Sequence, residues 1–406
     1  MKFAITTDKL KAELKRAIAF TGGRTTLPIL ANIKIVADAD KGTVGLYATN
    51  LDAEFSVLFE AQVDESGETT INAKHLQQIL DNIKVPDITL SCEAENPNTT
   101  VKYGKSSVLL LGLPTKEYPE FLIQGDKVAE VDLEVREFFS LLKSVKFSMA
   151  YDNAKVFMNG VHFIIDMADG KVIAEATNAY ILTKSKLEVP ERGEAKMDFI
   201  LPARFADFFD ESVFSEDDKF KIIQYNNCIS FIGKDVMIST KVVDAKYPET
   251  NKFVPRVDSF HKIPLNRKEF LDKINLIRSF CDDTSPAVYI RLNRDFLKFT
   301  LESASKGAVD DIIEFDNPIE SVKEDETVVA KINSIYTYMI LKSGKSVEIT
   351  LMLKNATTPL VFRENGVETF SVLMPMGSKK KEATPAATAP ATPPTSQPVA
   401  SAEEKK

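Results

Sequence analysis

An internal repeat constrains the fold of this chain more than any other feature of its sequence. Short matches recur in the same order at an offset of 127 to 130 residues. They are Asn32 with Asn159, Ala48-Thr49-Asn50 with Ala176-Thr177-Asn178, Ala73-Lys74 with Ala203-Arg204, and Tyr118-Pro119-Glu120 with Tyr247-Pro248-Glu249. Each match alone is common by chance, but their shared order and spacing indicate tandem copies of one structural unit. Chance matches between two unrelated domains are the alternative.

A third copy is fainter, and it divides the chain into three units. Leu265 to Arg278 repeats the pattern of Ile5 to Ile18. Three units in residues 1–376 contain about 125 residues each, which is an ordinary domain size. We therefore predict domains at residues 1–125, 126–253 and 254–376.

The last thirty residues differ in composition from the rest of the chain. Residues 377–406 contain five prolines, seven alanines and four threonines, and no aromatic residue. Such a segment buries too little apolar surface to offset the entropy of the chain. We predict that residues 377–406 form a disordered tail.

Hydrophobic periodicity predicts the elements within a unit. An apolar stripe predicts a helix over Lys9 to Phe20, with Asp8 as its cap. A second helix is predicted over His75 to Ile83, and Asn159-Gly160 predicts a two-residue hairpin. Strands are predicted over Ile29 to Val36, Thr43 to Ala48 and Glu54 to Phe59. The predicted fold class is α+β, with two helices and several antiparallel strands in each unit.

Composition excludes several classes of protein. The three cysteines, Cys92, Cys228 and Cys281, are odd in number and too widely spaced for a disulfide framework or a zinc site. The longest apolar run, Val108 to Leu113, is far shorter than the about 20 residues that span a bilayer. The charged amino terminus excludes a signal peptide. We predict a soluble cytoplasmic protein that has no membrane partner.

No group of residues predicts catalysis. The chain has three histidines in unlike contexts, and it has neither a phosphate-binding glycine loop nor a nucleophile motif. His162 is predicted to be a packed or exposed strand residue and not a catalytic base, and the acidic pairs are predicted to be solvated loop charge: Asp217-Asp218, Asp282-Asp283 and Asp310-Asp311. We predict a protein that is not an enzyme and that needs no metal or other cofactor. An enzyme whose carboxylates act in an unrecognised fold is the alternative.

Basic residues recur on the first predicted helix of each unit, although the chain is acidic. The formal net charge is -8. The helix residues are Lys9, Lys11, Lys15 and Arg16, then Arg136, Lys143 and Lys146, then Arg267, Lys268, Lys273 and Arg278. If the repeat places these helices on one surface, that surface suits phosphate contacts without base readout. A solvated amphipathic face with ion pairs between neighbouring turns is the alternative.

Several motifs together resemble a known family. They are Gly22-Gly23-Arg24, Leu27-Pro28-Ile29-Leu30, Phe147-Ser148-Met149-Ala150, Met158-Asn159-Gly160, Val243 to Pro248 and Met374-Pro375-Met376. In this order and spacing, residues 1–376 resemble the bacterial DNA polymerase III beta subunit, the sliding clamp. The resemblance implies three tandem copies of a clamp-type domain, which assemble head to tail as a homodimeric ring around double-stranded DNA. It also implies that the ring tethers the replicative polymerase and docks the clamp loader and repair proteins through short linear motifs.

The resemblance implies two sets of site residues. Arg24 matches a DNA-facing arginine of the family, and Lys74 and Arg204 occupy equivalent repeat positions that suit phosphate contacts. A partner-peptide groove between the second and third domains matches Met158, Thr177, Leu182, Pro248, Phe253, Val372, Leu373, Met374, Pro375 and Met376. Methionine suits a groove that accepts varied partners, because its side chain adapts its shape.

Two departures from the family pattern affect the expected groove. Asn178-Ala179-Tyr180-Ile181-Leu182 stands where many relatives have Asp-Gly-His-Arg-Leu, so the charge and the imidazole are lost. The thirty residues after Met376 are either an inert appendage or a segment that modulates access to the groove. A peptide-binding scaffold that never encircles DNA is the alternative function.

Overall fold

The computed structural model describes residues 1–22, 26–93, 96–120, 126–190, 193–214, 218–282 and 285–377. Residues 1–376, which contain all three predicted units, pack into one compact body. Arg24 lies outside the described residues, and so does the predicted tail apart from Gly377.

The described residues contain six α-helices, and each begins directly after a strand. They are α1 Thr7–Ala17, α2 Ala73–Asn82, α3 Val135–Val145, α4 Ala203–Phe208, α5 Arg267–Phe280 and α6 Ser334–Ser343. Short 3-10 turns cover Ile18–Phe20, Pro28–Ala31, Thr115–Glu117, Lys146–Ser148, Val156–Met158, Glu211–Phe214 and Thr250–Phe253.

The two predicted helices of the first unit exist, but their starts differ from the prediction. The prediction that Asp8 caps the first helix is wrong, because Thr6 is the N-cap residue and Asp8 lies in the first turn. There the negative charge of Asp8 interacts favourably with the helix dipole. The second helix begins two residues earlier than predicted, at Ala73. There the Asn72 side chain accepts a hydrogen bond from the backbone N–H of His75 and caps the helix.

The strands of the described residues form four antiparallel sheets. They are β1 Lys2–Thr6, β2 Asn32–Asp38, β3 Thr43–Thr49, β4 Ala53–Glu60, β5 Gln62–Glu65, β6 Gly67–Asn72, β7 Asp87–Ser91, β8 Thr99–Tyr103, β9 Ser106–Leu110, β10 Lys127–Glu134, β11 Gly160–Asp166, β12 Lys171–Thr177, β13 Ile181–Glu188, β14 Lys196–Pro202, β15 Lys219–Tyr225, β16 Cys228–Ile232, β17 Val236–Lys241, β18 His261–Asn266, β19 Ala287–Leu292, β20 Phe296–Ser303, β21 Gly307–Glu314, β22 Val328–Asn333, β23 Glu348–Leu353, β24 Leu360–Glu364 and β25 Thr369–Leu373.

The order of elements recurs three times along the chain. A strand and a helix are followed by four strands, a second helix and three strands, in the series that begin at β1, β10 and β18. The first series contains one additional strand, β5. This order agrees with tandem copies of one unit, while the boundaries after residues 125, 253 and 376 remain predictions.

Two of the sheets continue from one unit into the next. One has the order β10-β15-β16-β17-β4-β3-β2-β6 and joins the first two units where β17 pairs with β4. The other has the order β14-β11-β12-β13-β25-β24-β23-β18 and joins the second and third units where β13 pairs with β25. The two remaining sheets, β5-β1-β7-β8-β9 and β21-β20-β19-β22, leave β9 and β21 as outer strands.

Large aromatic side chains fill the core that the first two units share. The Phe20 ring lies 5.2 Å from that of Phe55 in the first unit and 6.3 Å from that of Phe205 in the second, measured between ring centroids. A separate core in the third unit includes Phe270 and Phe299. The helices therefore bury their apolar faces on the sheets, and their polar faces remain at the surface.

Two local predictions are wrong. Asn159-Gly160 does not form a hairpin, because Asn159 follows the turn Val156–Met158 and Gly160 begins β11. A Cβ atom at Gly160 would lie 2.3 Å from the backbone oxygen of Leu201, so glycine here permits the close approach of two strands. Asp310-Asp311 lies in β21 instead of a loop, where both carboxylates form ion pairs with lysines.

Candidate functional site

Lys74 and Arg204, two of the candidate DNA-binding residues, occupy the same place in two helices. Each is the second residue of its helix and follows an alanine that is at most 4% exposed. The alanine anchors the helix in the core, so the next side chain points to the surface, and both residues are exposed. The third unit has Ile335 at this position, which is 39% exposed.

The two basic residues differ in their electrostatic surroundings. The Arg204 guanidinium lies 3.2 Å and 3.3 Å from the two carboxylate oxygens of Asp152. Both side chains are at least 80% exposed, so this pair contributes about 1 kcal/mol or less. Lys74 forms no ion pair with any residue that the structure describes. The Lys74 ammonium is therefore the less neutralised of the two.

Several basic residues on the predicted helix faces are already paired within the chain. Lys11, Lys143 and Lys273 form ion pairs with Asp81, Glu211 and Asp311 at 2.6 to 3.0 Å. Arg267 donates to the backbone oxygens of Ser346 and Leu341 and has a structural role. Spacing within a helix predicted none of these contacts, because every partner comes from a different element.

A row of side chains across five strands forms the floor of the candidate groove. Thr177 on β12, Leu182 on β13 and Val372 on β25 are successive cross-strand partners, so they share one face of the sheet. The row continues to Val361 and Met352. Val254, Val257 and Phe260, which precede β18, pack on this row. The structure therefore brings together candidate residues that are far apart in sequence.

The end of the last strand forms a second part of the groove. The backbone N–H of Met374 donates to the oxygen of Tyr180 at 2.9 Å, and that of Met376 donates to the oxygen of Lys331 at 2.7 Å. Met374 is 45% exposed, while Pro375 and Met376 are half-buried. The two hydrogen bonds fix the course of this segment beyond the sheet.

The remaining candidates differ in how accessible they are. Met158 is only 5% exposed, whereas Phe253 is 63% exposed and Pro248 is half-buried. The structure does not bring the Leu373 side chain to the groove floor. Leu373 is opposite Ile181 on the other face of the sheet and is fully buried in the core of the third unit.

Sequence reasoning missed an aromatic pair beside Met374. The rings of Tyr180 and Tyr336 stack with their centroids 6.0 Å apart. Tyr180 follows Ala179, whose backbone has a φ of 75°. The departure at Asn178-Ala179-Tyr180-Ile181 was visible in the sequence, but Tyr336 comes from helix α6 of another unit, and no local pattern connects the two.

His162 is a strand residue, as predicted, and the structure packs it between two carboxylates. Its Nδ1 atom lies 2.9 Å from Glu175 Oε1 on β12, and its Nε2 atom lies 2.9 Å from Asp198 Oδ1 on β14. His162 and Glu175 are 4% and 2% exposed. Lys184 Nζ lies 3.3 Å from the second oxygen of Glu175.

This cluster shifts the pKa values of its members. Burial lowers the pKa of His162, but the hydrogen bonds and negative charges of Asp198 and Glu175 outweigh burial and raise it above the ordinary value. The hydrogen bond from His162 lowers the pKa of Asp198. Burial raises the pKa of Glu175, yet His162, Thr250 and Lys184 together hold it below the ordinary value.

Other sites were sought among the described residues. The three cysteines are free thiols, and no group of three or more His, Cys, Asp or Glu side chains in the described ranges is placed to hold a metal ion. None of the described helices is both long and apolar enough to cross a membrane.

Comparisons with known proteins match most of the chain. The family model for the DNA polymerase III beta subunit, N-terminal domain, matches residues 1–123, and the model for the central domain matches residues 132–249. The chain belongs to the DNA polymerase III beta subunit family. Membership confirms the predicted family and the predicted class of function, a non-catalytic DNA sliding clamp.

Relatives in the beta subunit family align over nearly their whole length. The beta sliding clamp of Rickettsia felis is 26% identical over 387 residues, which cover 93% of this chain and 99% of the relative. The beta sliding clamp of Bacillus subtilis is 23% identical over 92% of this chain and 98% of its own.

Solved structures of the beta subunit family share the fold. The DNA polymerase sliding clamp from Bacillus subtilis superposes with a TM-score of 0.84 at 20% identity. A sliding clamp from Bartonella birtlesii bound to griselimycin gives a TM-score of 0.83 at 24% identity. Each match covers 93% of this chain and 100% of the solved one. The predicted α+β class is confirmed, while the individual site residues remain predictions.

Proposed function

We propose that two copies of this chain close a ring around double-stranded DNA and tether a replicative polymerase to it. The observation that supports this proposal is a regular pattern of strand pairing: the last strand of one unit pairs with the same strand of its neighbour. The final strand of the second unit, β17, pairs with β4, and the final strand of the third unit, β25, pairs with β13. The final strand of the first unit is β9, and the counterpart of β4 and β13 in the third unit is β21. Both of these are outer strands.

If the pattern continues between protomers, β9 of one protomer pairs with β21 of another. Such a contact uses two different surfaces of each protomer and is head to tail, and it forms a closed dimer when both ends are paired. Apolar side chains are exposed at both edges. Leu109 and Leu111 are 59% and 74% exposed at β9, while Ile312 on β21 and Leu276 on the adjacent helix α5 are 37% and 51% exposed. Covering these edges removes a risk of aggregation and buries apolar surface.

DNA binding in this proposal depends on enclosure more than on tight contacts. Lys74 and Arg204, together with Arg24, would contact phosphates without reading bases, which permits sliding. Arg204 would exchange its exposed pairing with Asp152 for a phosphate, at little cost because that pair is weak. Internal ion pairs at Lys11, Lys143 and Lys273 leave a thin cationic lining. A thin lining favours mobility on DNA.

The candidate groove would bind short linear peptides of the polymerase, the clamp loader and repair proteins. The row of Thr177, Leu182 and Val372 supplies a floor, and the exposed side chains of Phe253 and Met374 supply contacts at its rim. Leu373 supports this floor from the core side of the sheet.

Retention on DNA of two topologies tests the proposal. The chain is loaded onto nicked circular DNA by its clamp loader, and half of the sample is then linearised with a restriction enzyme. A ring slides off the free ends, so we expect rapid loss from the linear DNA and retention on the circle, measured by gel filtration of the complexes. Equal rates of loss from both DNAs would contradict encirclement and favour a scaffold that binds peptides alone.

A further inference from the structure

The second connector, defined as residues 242–260 between β17 and β18, carries Pro248 and Phe253 to the candidate groove. Three of its side chains contact the polar cluster around His162. The Tyr247 ring stacks on the His162 ring with centroids 4.3 Å apart. The Thr250 hydroxyl donates to Glu175 at 2.5 Å, and the Asn251 side-chain oxygen accepts from Lys184 at 3.1 Å. The connector is therefore held to the sheet on both sides of Pro248.

The geometry of the cluster favours a doubly protonated imidazole. An ionised carboxylate can only accept hydrogen bonds, and both ring nitrogens of His162 lie 2.9 Å from carboxylate oxygens. Two N–H donors exist only in the imidazolium form. A neutral ring would place a nitrogen lone pair against either Glu175 or Asp198. The aromatic face of Tyr247 also attracts a cation more than a neutral ring.

We propose that protonated His162 is a positioning residue of the groove, which holds the second connector on the sheet and weakens partner-peptide binding when it loses its proton. This inference rests on the proposed function of the groove. The charged groups that face the cluster are Glu175 from β12, Asp198 from β14 and Lys184 from β13. From the connector side, Tyr247 and Thr250 contribute uncharged groups.

The direction of the pH dependence follows from the shifts in this cluster. Because the pKa of His162 is raised in the folded chain, its contribution is fully present below the ordinary histidine value of about 6.5. That contribution is lost as the pH rises through the raised value. The carboxyl pKa values of Glu175 and Asp198 are lowered, so both groups stay ionised throughout this range. Affinity for a peptide should therefore fall as the pH rises through the raised pKa of His162.

Three measurements on the full-length chain between pH 6 and pH 9 test this inference. Carbon-13 NMR of labelled histidine resolves the titration of His162, because the chain has only three histidines. Hydrogen exchange, corrected for intrinsic rates, reports the order of residues 247–253, with residues 113–120 of the first unit as an internal reference. Fluorescence anisotropy gives the dissociation constant for a fluorescein-labelled peptide from the end of the polymerase subunit of the same organism.

The expected result is a joint change in all three measurements. As His162 loses its proton, exchange of residues 247–253 should increase and peptide affinity should fall roughly tenfold, because a buried polar group loses its partner. His162→Gln should bind at all pH values as weakly as the deprotonated chain. His162→Lys keeps a positive charge, as Lys34 does at the same place in the first unit, and should flatten the pH profile at high affinity.

Two results would overturn the inference. One is a titration of His162 with no change in connector exchange. The other is a His162→Gln variant with the wild-type affinity and exchange at every pH. If that variant does not fold, the pH profiles of connector exchange and peptide affinity in the unmodified chain still test the inference. Absence of peptide binding at any pH, with connector exchange that follows His162, would refute the groove function and support the positioning role.

Discussion

The first connector follows β9, and its described part is residues 111–120. It carries the same Tyr-Pro-Glu motif as the second connector, but different chemistry anchors the two. In the first, Tyr118 packs with Ile29 and Leu30, and its hydroxyl donates to the backbone oxygen of Tyr47 at 3.2 Å. In the second, Tyr247 stacks on His162, and its buried hydroxyl has no hydrogen-bond partner among the described residues. Both tyrosines are 8% exposed. Equivalent residues at equal depth are thus held by apolar packing and a hydrogen bond in the first connector, and by stacking on a charged cluster in the second.

Strand register shows where the two units diverge. Lys34 and Tyr47 are cross-strand partners in the first unit, as His162 and Glu175 are in the second. Lys34 pairs with Glu68 at 2.8 Å, and their side chains are 26% and 42% exposed. The side chains of His162 and Glu175 are 5% and 3% exposed. The repeat therefore preserves the fold, while the charged pair at this register position is buried in the second unit and partly exposed in the first.

The largest expected effect compares one carboxylate from each unit. Glu175→Gln leaves His162 and Lys184 without their buried counter-charge, which should lower the free energy of unfolding by about 3 kcal/mol or more. Glu68→Gln removes a half-exposed partner and should change it by about 1 kcal/mol or less. Urea titrations followed by circular dichroism measure both. Equal losses in the two variants would mean that burial of the second cluster is not what distinguishes the connectors.

A smaller effect compares the two tyrosine hydroxyls. Tyr118→Phe removes a hydrogen bond to a backbone oxygen and should cost about 1 kcal/mol. Tyr247→Phe removes a hydroxyl that has no partner among the described residues, so it should be neutral or slightly stabilising. The same titrations apply. A Tyr247→Phe variant that loses as much stability as Tyr118→Phe would show that the hydroxyl of Tyr247 is hydrogen-bonded in solution.

The sequence predicted what depends on local spacing. The offset between repeats predicted three similar units, and helical periodicity predicted α1 and α2 to within a few residues. The sequence did not predict that sheets continue across units. Pairing of β17 with β4 joins residues about 180 positions apart and leaves no local pattern. The prediction of a hairpin at Asn159-Gly160 was wrong for a related reason. The glycine is needed for the close approach of β14, which is distant in sequence.

The candidate sites were predictable only in part. The position of Lys74 and Arg204 after a buried alanine follows from the repeat, but the pairing of Arg204 with Asp152 depends on a loop of different sequence. Leu182 and Val372 are brought together by the junction of β13 with β25. The cluster of His162 combines four strands and a connector, so no local sequence pattern indicated it.

Ring closure through β9 and β21 is the central claim, and the molar mass of the full-length chain tests it most directly. Light scattering during gel filtration should give twice 45.2 kDa for the unmodified chain. A double variant, Leu109→Asp with Leu111→Asp, should give 45.2 kDa, because it places charges on the edge that must be buried. The control Leu58→Asp alters a side chain that is 49% exposed on the internally paired strand β4 and should remain a dimer. An unmodified chain that stays monomeric at tens of micromolar, or a double variant that stays dimeric, would contradict closure at this edge.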